Sequence, residues 1–148
     1  MASVTARIER TLYETHVSTD SQVIVADEPL DAGGQDRGMR PSELLAGALA
    51  TCIVMTLRMY ADRKGLPLDS AVVHVDYSYD PIAGRSLFAT KLILNGNLTP
   101  EQRTRLREMA DRCPVHRTLQ SPIDFDTTLV EGAAIGHHLP NAINSVTD

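Results

Sequence analysis

GMRPSELLAGALATCIVMTLRMYADRKGLPL, residues 38–68, decides the fold. Pro41 suits the first position of a helix, where a missing N–H costs nothing and a fixed φ helps. Glu43 falls in the first turn, where a negative charge complements the helix dipole. The helix is expected to run to about Lys64, with Gly65 as its C-terminal stop. Its first half, LLAGALATCIVMTL (44–57), carries no charge. It is apolar on every side, the mark of a helix buried within a protein. The second half, RMYADRK, carries charge and should emerge into solvent. Cys52 lies in the middle of the uncharged stretch, on one helical stripe with Leu45, Ala48, Met55 and Met59.

Before this helix, SVTARIERTL (3–12) and SQVIVA (21–26) alternate well enough to be strands. DAGGQDRGM (31–39) is a loop rich in Gly and charge. After the helix come two strand patterns. In VVHVDYSYD (72–80), Val73, Val75, Tyr77 and Tyr79 share a face; in LFATKLIL (87–94), Phe88, Thr90, Leu92 and Leu94 do the same. Pro81 to Gly84 would connect them as an antiparallel hairpin. Thr99-Pro100-Glu101-Gln102 is a helix start, with Thr99 as cap, Pro100 first and Gln102 completing a capping box. Leu106, Met109, Ala110 and Cys113 follow at i, i+3, i+4 and i+7, which turns Cys113 inward. PIDFDTTLV (122–130) is an alternating strand pattern with Ile123, Phe125, Thr127 and Leu129 on one face. The tail, residues 131–148, has no periodicity and reads as an extension of a single domain spanning residues 1–130.

Strands and helices are segregated along the chain, which means α+β. So long an apolar helix is hard for one small domain to cover, and burial in a dimer interface would solve that. A net charge of −5 and the absence of Trp give no footprint for nucleic acid or an anionic membrane surface. The N-terminus, MASVTARIERTLYE, lacks a signal-peptide layout. The uncharged apolar run of residues 44–57, 14 residues, is shorter than the roughly 20 needed to span a bilayer. These features predict a cytoplasmic protein, where a Cys pair serves redox chemistry more often than stapling.

The two cysteines are the residues most able to carry chemistry. Cys52 has a plain reading as a small buried hydrophobe. Cys113 is followed by Pro114, which can open a new helical turn, PVHRTL. Cys113 would then be an N-cap, where unpaired N–H groups favour thiolate over thiol. His116 and Arg117 would add positive charge, and the plain alternative is a Cys that closes a helix against the core. Glu43, Arg37 and Arg40 flank the start of the long helix. Glu43 precedes Cys52 by nine residues, about 13–14 Å along a helix axis. Neither Glu43 nor Arg40 can reach Cys52 within one straight helix. They could act on a thiol only from a partner subunit or a folded-back loop. Cys113 and His116 with Cys52 fall short of the paired spacings of structural zinc sites. No bound metal or cofactor is called for.

The 38–68 segment, followed by ADRCPVHRTL (110–119), resembles the OsmC/Ohr family of osmotically inducible and organic hydroperoxide resistance proteins. The first segment is similar to the family's GxxPxELLxxALxxC pattern and the second to its CPVH-type segment. The resemblance covers residues 3–130. It implies an OsmC-like fold, antiparallel sheets around a long buried central helix, in an intertwined homodimer with active sites at the interface.

The resemblance also implies a thiol-dependent peroxidase acting on a small apolar hydroperoxide. Cys52 would become a sulfenic acid, and Cys113 would resolve it to a disulfide. A dithiol reductant, lipoyl or thioredoxin-like, would reset the pair. In the family's best-known peroxidases, a Glu ten residues before the first Cys holds an N-terminal Arg. Here Ser42 has that position, and Glu43 is rotated by about 100° on the helix. The expected strand-loop, THVSTDSQ (15–22), has no Arg, which leaves Arg37 or Arg40 as the thiolate's cation. Two other readings remain open: a non-catalytic small-ligand-binding module and a redox sensor.

Overall fold

The computed structural model describes residues 2–131. Nearly all of the expected C-terminal extension therefore lies outside the described residues. The elements run β1 (Thr5–Ile8), β2 (Thr15–Ser18), β3 (Val23–Ala26), a 3-10 turn (Leu30–Ala32), α1 (Pro41–Lys64), β4 (Ser70–Asp80), β5 (Arg85–Asn95), α2 (Pro100–Ala110) and α3 (Pro114–Gln120). The fold is α+β with two antiparallel sheets and one long helix. The described residues divide into two compact units, one formed by residues 2–41 with 126–131, the other by Ser42–Phe125.

The first unit holds the three-stranded sheet, in the order β1-β2-β3. Thr5 pairs with Ser18 and Ile8 with Thr15 across β1 and β2, and Thr15 pairs with Ala26 across β2 and β3. The single strand expected over residues 3–12 is thus shorter, and β2 appears where none was expected. β2 is the central strand and takes ladder hydrogen bonds from both neighbours, so pairing rather than alternation defines it. The 31–39 segment is a loop apart from the 3-10 turn at its start and one bridge from Met39 to Ala26.

In the second unit, α1 has the expected bounds. Gly65 follows it at φ +63°, the left-handed conformation that stops a helix and suits glycine. β4 and β5 pair antiparallel from Ser70↔Asn95 to Asp80↔Arg85. Ala71, Val73, Val75, Phe88, Leu92 and Leu94 form their inner face, packed on the core. Tyr77 and Phe88 stack across the strands with ring centroids 4.7 Å apart. The capping box of α2 is present in full: Gln102 N–H donates to the Thr99 hydroxyl, and Thr99 N–H donates to the Gln102 side chain. Leu106 and Ala110 of α2 join Leu49, Ile53, Leu57, Tyr60 and Ala61 of α1 in one buried cluster.

Within this single chain one face of the long helix is open and one expected strand is absent. α1 is not buried on every side: Leu45, Met55 and Met59 are 38, 55 and 69% exposed. The stripe expected to accompany Cys52 is therefore the outward one. The buried face is Leu49-Ile53-Leu57-Tyr60-Ala61, because the hairpin and α2 of this unit cover only one side of the helix. By length and composition alone α1 could also cross a membrane, but that buried face is committed to the protein core. Residues 122–130 form no strand. Ile123, Phe125 and Leu129 are exposed, the last two almost fully. Alternation supplies a face, but a strand also needs a ladder partner for its backbone. Among the described residues this segment has none.

Candidate active site

Cys52 and Cys113 are 61 positions apart in the chain, and the fold brings their thiols together within the second unit. α1 carries Cys52 at the border between its buried and exposed faces, where the residue is half-buried. α2 ends at Ala110, and the chain turns at Asp111 so that Cys113 becomes the N-cap of α3. Pro114 occupies the first position of α3 and has no N–H to offer. The next two N–H groups are divided between the sulfurs. Val115 N–H donates to Cys52 Sγ at 3.5 Å, and His116 N–H donates to Cys113 Sγ at 3.3 Å.

The two thiols differ in environment. Cys113 has no exposed surface and belongs to the core cluster with Leu106 and Ala110. Burial pushes its thiol above the ordinary value, the His116 N–H opposes this, and the adjacent Cys52 side chain adds to the rise. The expectation that an N-cap position would favour the Cys113 thiolate is therefore corrected: desolvation outweighs the N–H donors. Cys113 rests as a thiol. Neither residue is in a disulfide.

Beside Cys52, the outward face of α1 offers Leu45, Ala48 and Met55. Further along the same helix, Val54, Met55, Met59, Leu68 and Ala71 line an open groove of about 330 Å³, together with Arg58 and Asp69. Arg58 is tied down by a 2.7 Å bond to the Leu68 carbonyl and an ion pair with Asp62.

Glu43 is exposed in the first turn of α1, an unbroken helix that holds it along the axis from Cys52. Arg37 and Arg40 belong to the first unit. Arg37 Nη1 bonds Glu14 Oε2 at 2.9 Å, while His16 Nε2 sits 3.1 Å from the other Glu14 oxygen. The sequence reading did not single out Glu14 as the partner of Arg37.

It also missed Asp27, a buried carboxylate that organises the Arg37 loop. The Asp27 oxygens accept backbone N–H groups from Tyr13, Glu28, Gln35 and Arg37 at 2.8–3.2 Å. Burial would raise this carboxyl, but the four donors together hold it below the usual carboxylate value. Gly34 completes the arrangement, since a Cβ there would collide with the Glu28 carbonyl. The only sequence signal was an acid closing a hydrophobic strand ahead of a Gly-rich loop. Among the described residues no group of three or more His, Cys, Asp or Glu side chains could hold a metal ion.

Comparison with known proteins gives a consistent picture. The family model described as OsmC-like protein matches residues 33–128. An OsmC-like protein from Mycoplasma pneumoniae superposes with a TM-score of 0.67 at 21% identity, covering 80% of this chain and 86% of that one. The organic hydroperoxide resistance protein OhrB of Bacillus subtilis gives 0.57 at 24% identity, over 84% of this chain and 93% of that one. An organic hydroperoxide resistance protein OsmC from Legionella pneumophila gives 0.59 at 21% identity, over 81% and 90%. These likenesses establish the fold. No curated protein sequence matches the chain.

Proposed function

The chain belongs to the OsmC-like protein family, and from that premise we propose that it is a cytoplasmic, homodimeric, thiol-dependent peroxidase of organic hydroperoxides. The observation that carries this reading is the pairing of the half-buried Cys52 thiol with the buried Cys113 thiol. The Cys52 thiolate attacks the terminal peroxide oxygen, the O–O bond breaks, and the alcohol leaves after taking a proton. Cys52 is then a sulfenic acid. The Cys113 sulfur attacks the Cys52 sulfur, and hydroxide leaves as water with the Cys113 proton. A dithiol returns two electrons and restores both thiols. The apolar surroundings of Cys52, with Leu45, Ala48 and Met55 outward on α1, suit an alkyl hydroperoxide better than hydrogen peroxide.

The test is a free-thiol count on reduced protein before and after one equivalent of cumene hydroperoxide. Loss of both thiols, with a Cys52–Cys113 cross-linked peptide in the mass spectrum, is the expected result. Two surviving thiols would overturn the peroxidase. They would support the second reading, a non-catalytic binding module, which Ser42 in place of the family's Glu favours. Oxidation that alters the protein without turnover would instead indicate a redox sensor.

Arg37 and Arg40 are the proposed cations for the Cys52 thiolate. Arg37→Ala is expected to slow alkylation of the Cys52 thiol at neutral pH, read by a timed iodoacetamide reaction and peptide mass mapping. An unchanged alkylation rate in both Arg37→Ala and Arg40→Ala would remove both from the site.

The homodimer is supported by the outward face of α1 and by the exposed apolar side chains of Ile123 and Phe125. Sedimentation at micromolar concentration is expected to give twice the 16.2 kDa chain mass. A monomer at that concentration would overturn this part of the reading.

A further inference from the structure

We propose that the dithiol reductant enters at Cys52 alone, and that Cys113 is the sulfur released in that step. This rests on the redox-pair reading above and specifies how the pair is reset. A thiolate attacks a disulfide along the S–S axis, from the side of the target sulfur opposite the leaving sulfur. The sulfur that can be approached decides which mixed disulfide forms. Cys113 has no exposed surface and is packed in the cluster with Leu106 and Ala110. A nucleophile could reach its far side only by displacing core side chains. Cys52 is half-buried at the border of the outward face of α1. A second chain on that face would narrow the approach to Cys52 without opening one to Cys113, whose burial is complete within its own chain.

The leaving side is also prepared. His116 N–H lies 3.3 Å from the Cys113 sulfur and can donate to it as negative charge appears there. Burial raises the Cys113 thiol, which slows its departure. Access outweighs that penalty, because a sulfur that cannot be reached is not attacked at any leaving-group pKa. Once released, a thiol held above its ordinary value takes up a proton, and little thiolate remains to attack the mixed disulfide in reverse. The second thiol of the reductant therefore has time to close on the first. The balance is complete. The dithiol's first sulfur bonds to Cys52, the S–S bond to Cys113 breaks, and Cys113 gains a proton. The dithiol's second sulfur then displaces Cys52 as a thiol and leaves as a cyclic disulfide. Two electrons pass from the dithiol to the pair.

The experiment forms the Cys52–Cys113 disulfide with diamide, which needs no peroxidase activity. The oxidised protein is mixed with excess glutathione as the probe and acid-quenched on the millisecond-to-second scale. Peptide mass mapping then locates the adduct. Extrapolated to zero time, to remove thiol migration, glutathione on Cys52 should exceed glutathione on Cys113 by at least about tenfold. Equal labelling, or an excess on Cys113, overturns this inference and leaves the peroxidase reading standing. If diamide does not join the two cysteines, the redox pair itself fails and this inference falls with it. A disulfide that forms with diamide but not with cumene hydroperoxide overturns only the peroxidase.

Discussion

Cys52→Ser is expected to abolish hydroperoxide consumption, whereas Cys113→Ser should consume one equivalent and stop. The Cys52 sulfur is the half-buried member of the pair, reachable by a peroxide, and it already accepts the Val115 N–H at 3.5 Å. A serine hydroxyl keeps the shape but stays protonated at neutral pH and does not attack a peroxide oxygen. Loss of a nucleophile typically costs a thousandfold or more in turnover, on the order of what is seen when a catalytic nucleophile is deleted. Cys113 cannot take over the role, since it is fully buried and its thiol is pushed up by burial. In Cys113→Ser the first oxidation survives and the sulfenic acid on Cys52 persists, where a dimedone adduct found by mass spectrometry would report it. Stopped-flow consumption of cumene hydroperoxide by pre-reduced protein, with no free thiol left in solution, separates the two variants. Equal residual turnover in both would sink the assigned roles.

That division of labour between the thiols was only half legible in the sequence. The signals that could be read were local. Pro41 and Gly65 bracket α1, Thr99 and Gln102 begin α2, and Pro114 makes Cys113 a cap, and each is decided by a few neighbouring residues. The Cys113 environment is set by tertiary packing instead. An N-cap position predicts a stabilised thiolate, but complete burial reverses the outcome. The same limit explains Asp27 and Glu14. Asp27 gathers N–H groups from residues up to 14 positions away, and Glu14 meets Arg37 across 23. Residues 122–130 carried a good alternation but lack a pairing partner among the described residues. The apolar run of α1 correctly located a core helix. It could not show which side the rest of the unit covers.

The uncovered side of α1 gives the second large effect, a contrast between two residues two positions apart. Leu57 is fully buried in the cluster with Leu49, Ile53 and Leu106, whereas Met59 is 69% exposed on the outward face. Leu57→Ala removes a buried isobutyl group and leaves a cavity, at a cost of about 2–5 kcal/mol. Against a typical domain stability of roughly 5–15 kcal/mol, that is a large fraction. Met59→Ala should cost no more than about 0.5 kcal/mol if that face meets only water. If a second chain covers the face, the loss appears as weaker association, and the unfolding midpoint of the variant becomes more dependent on protein concentration. Urea unfolding of wild type, Leu57→Ala and Met59→Ala at two concentrations a hundredfold apart measures both effects. A small Leu57→Ala loss would contradict the core described here. For Met59→Ala, a midpoint that tracks the wild type at both concentrations would count against α1 as the dimer face, because burying Met59 against a partner must make its removal felt when the chain is dilute.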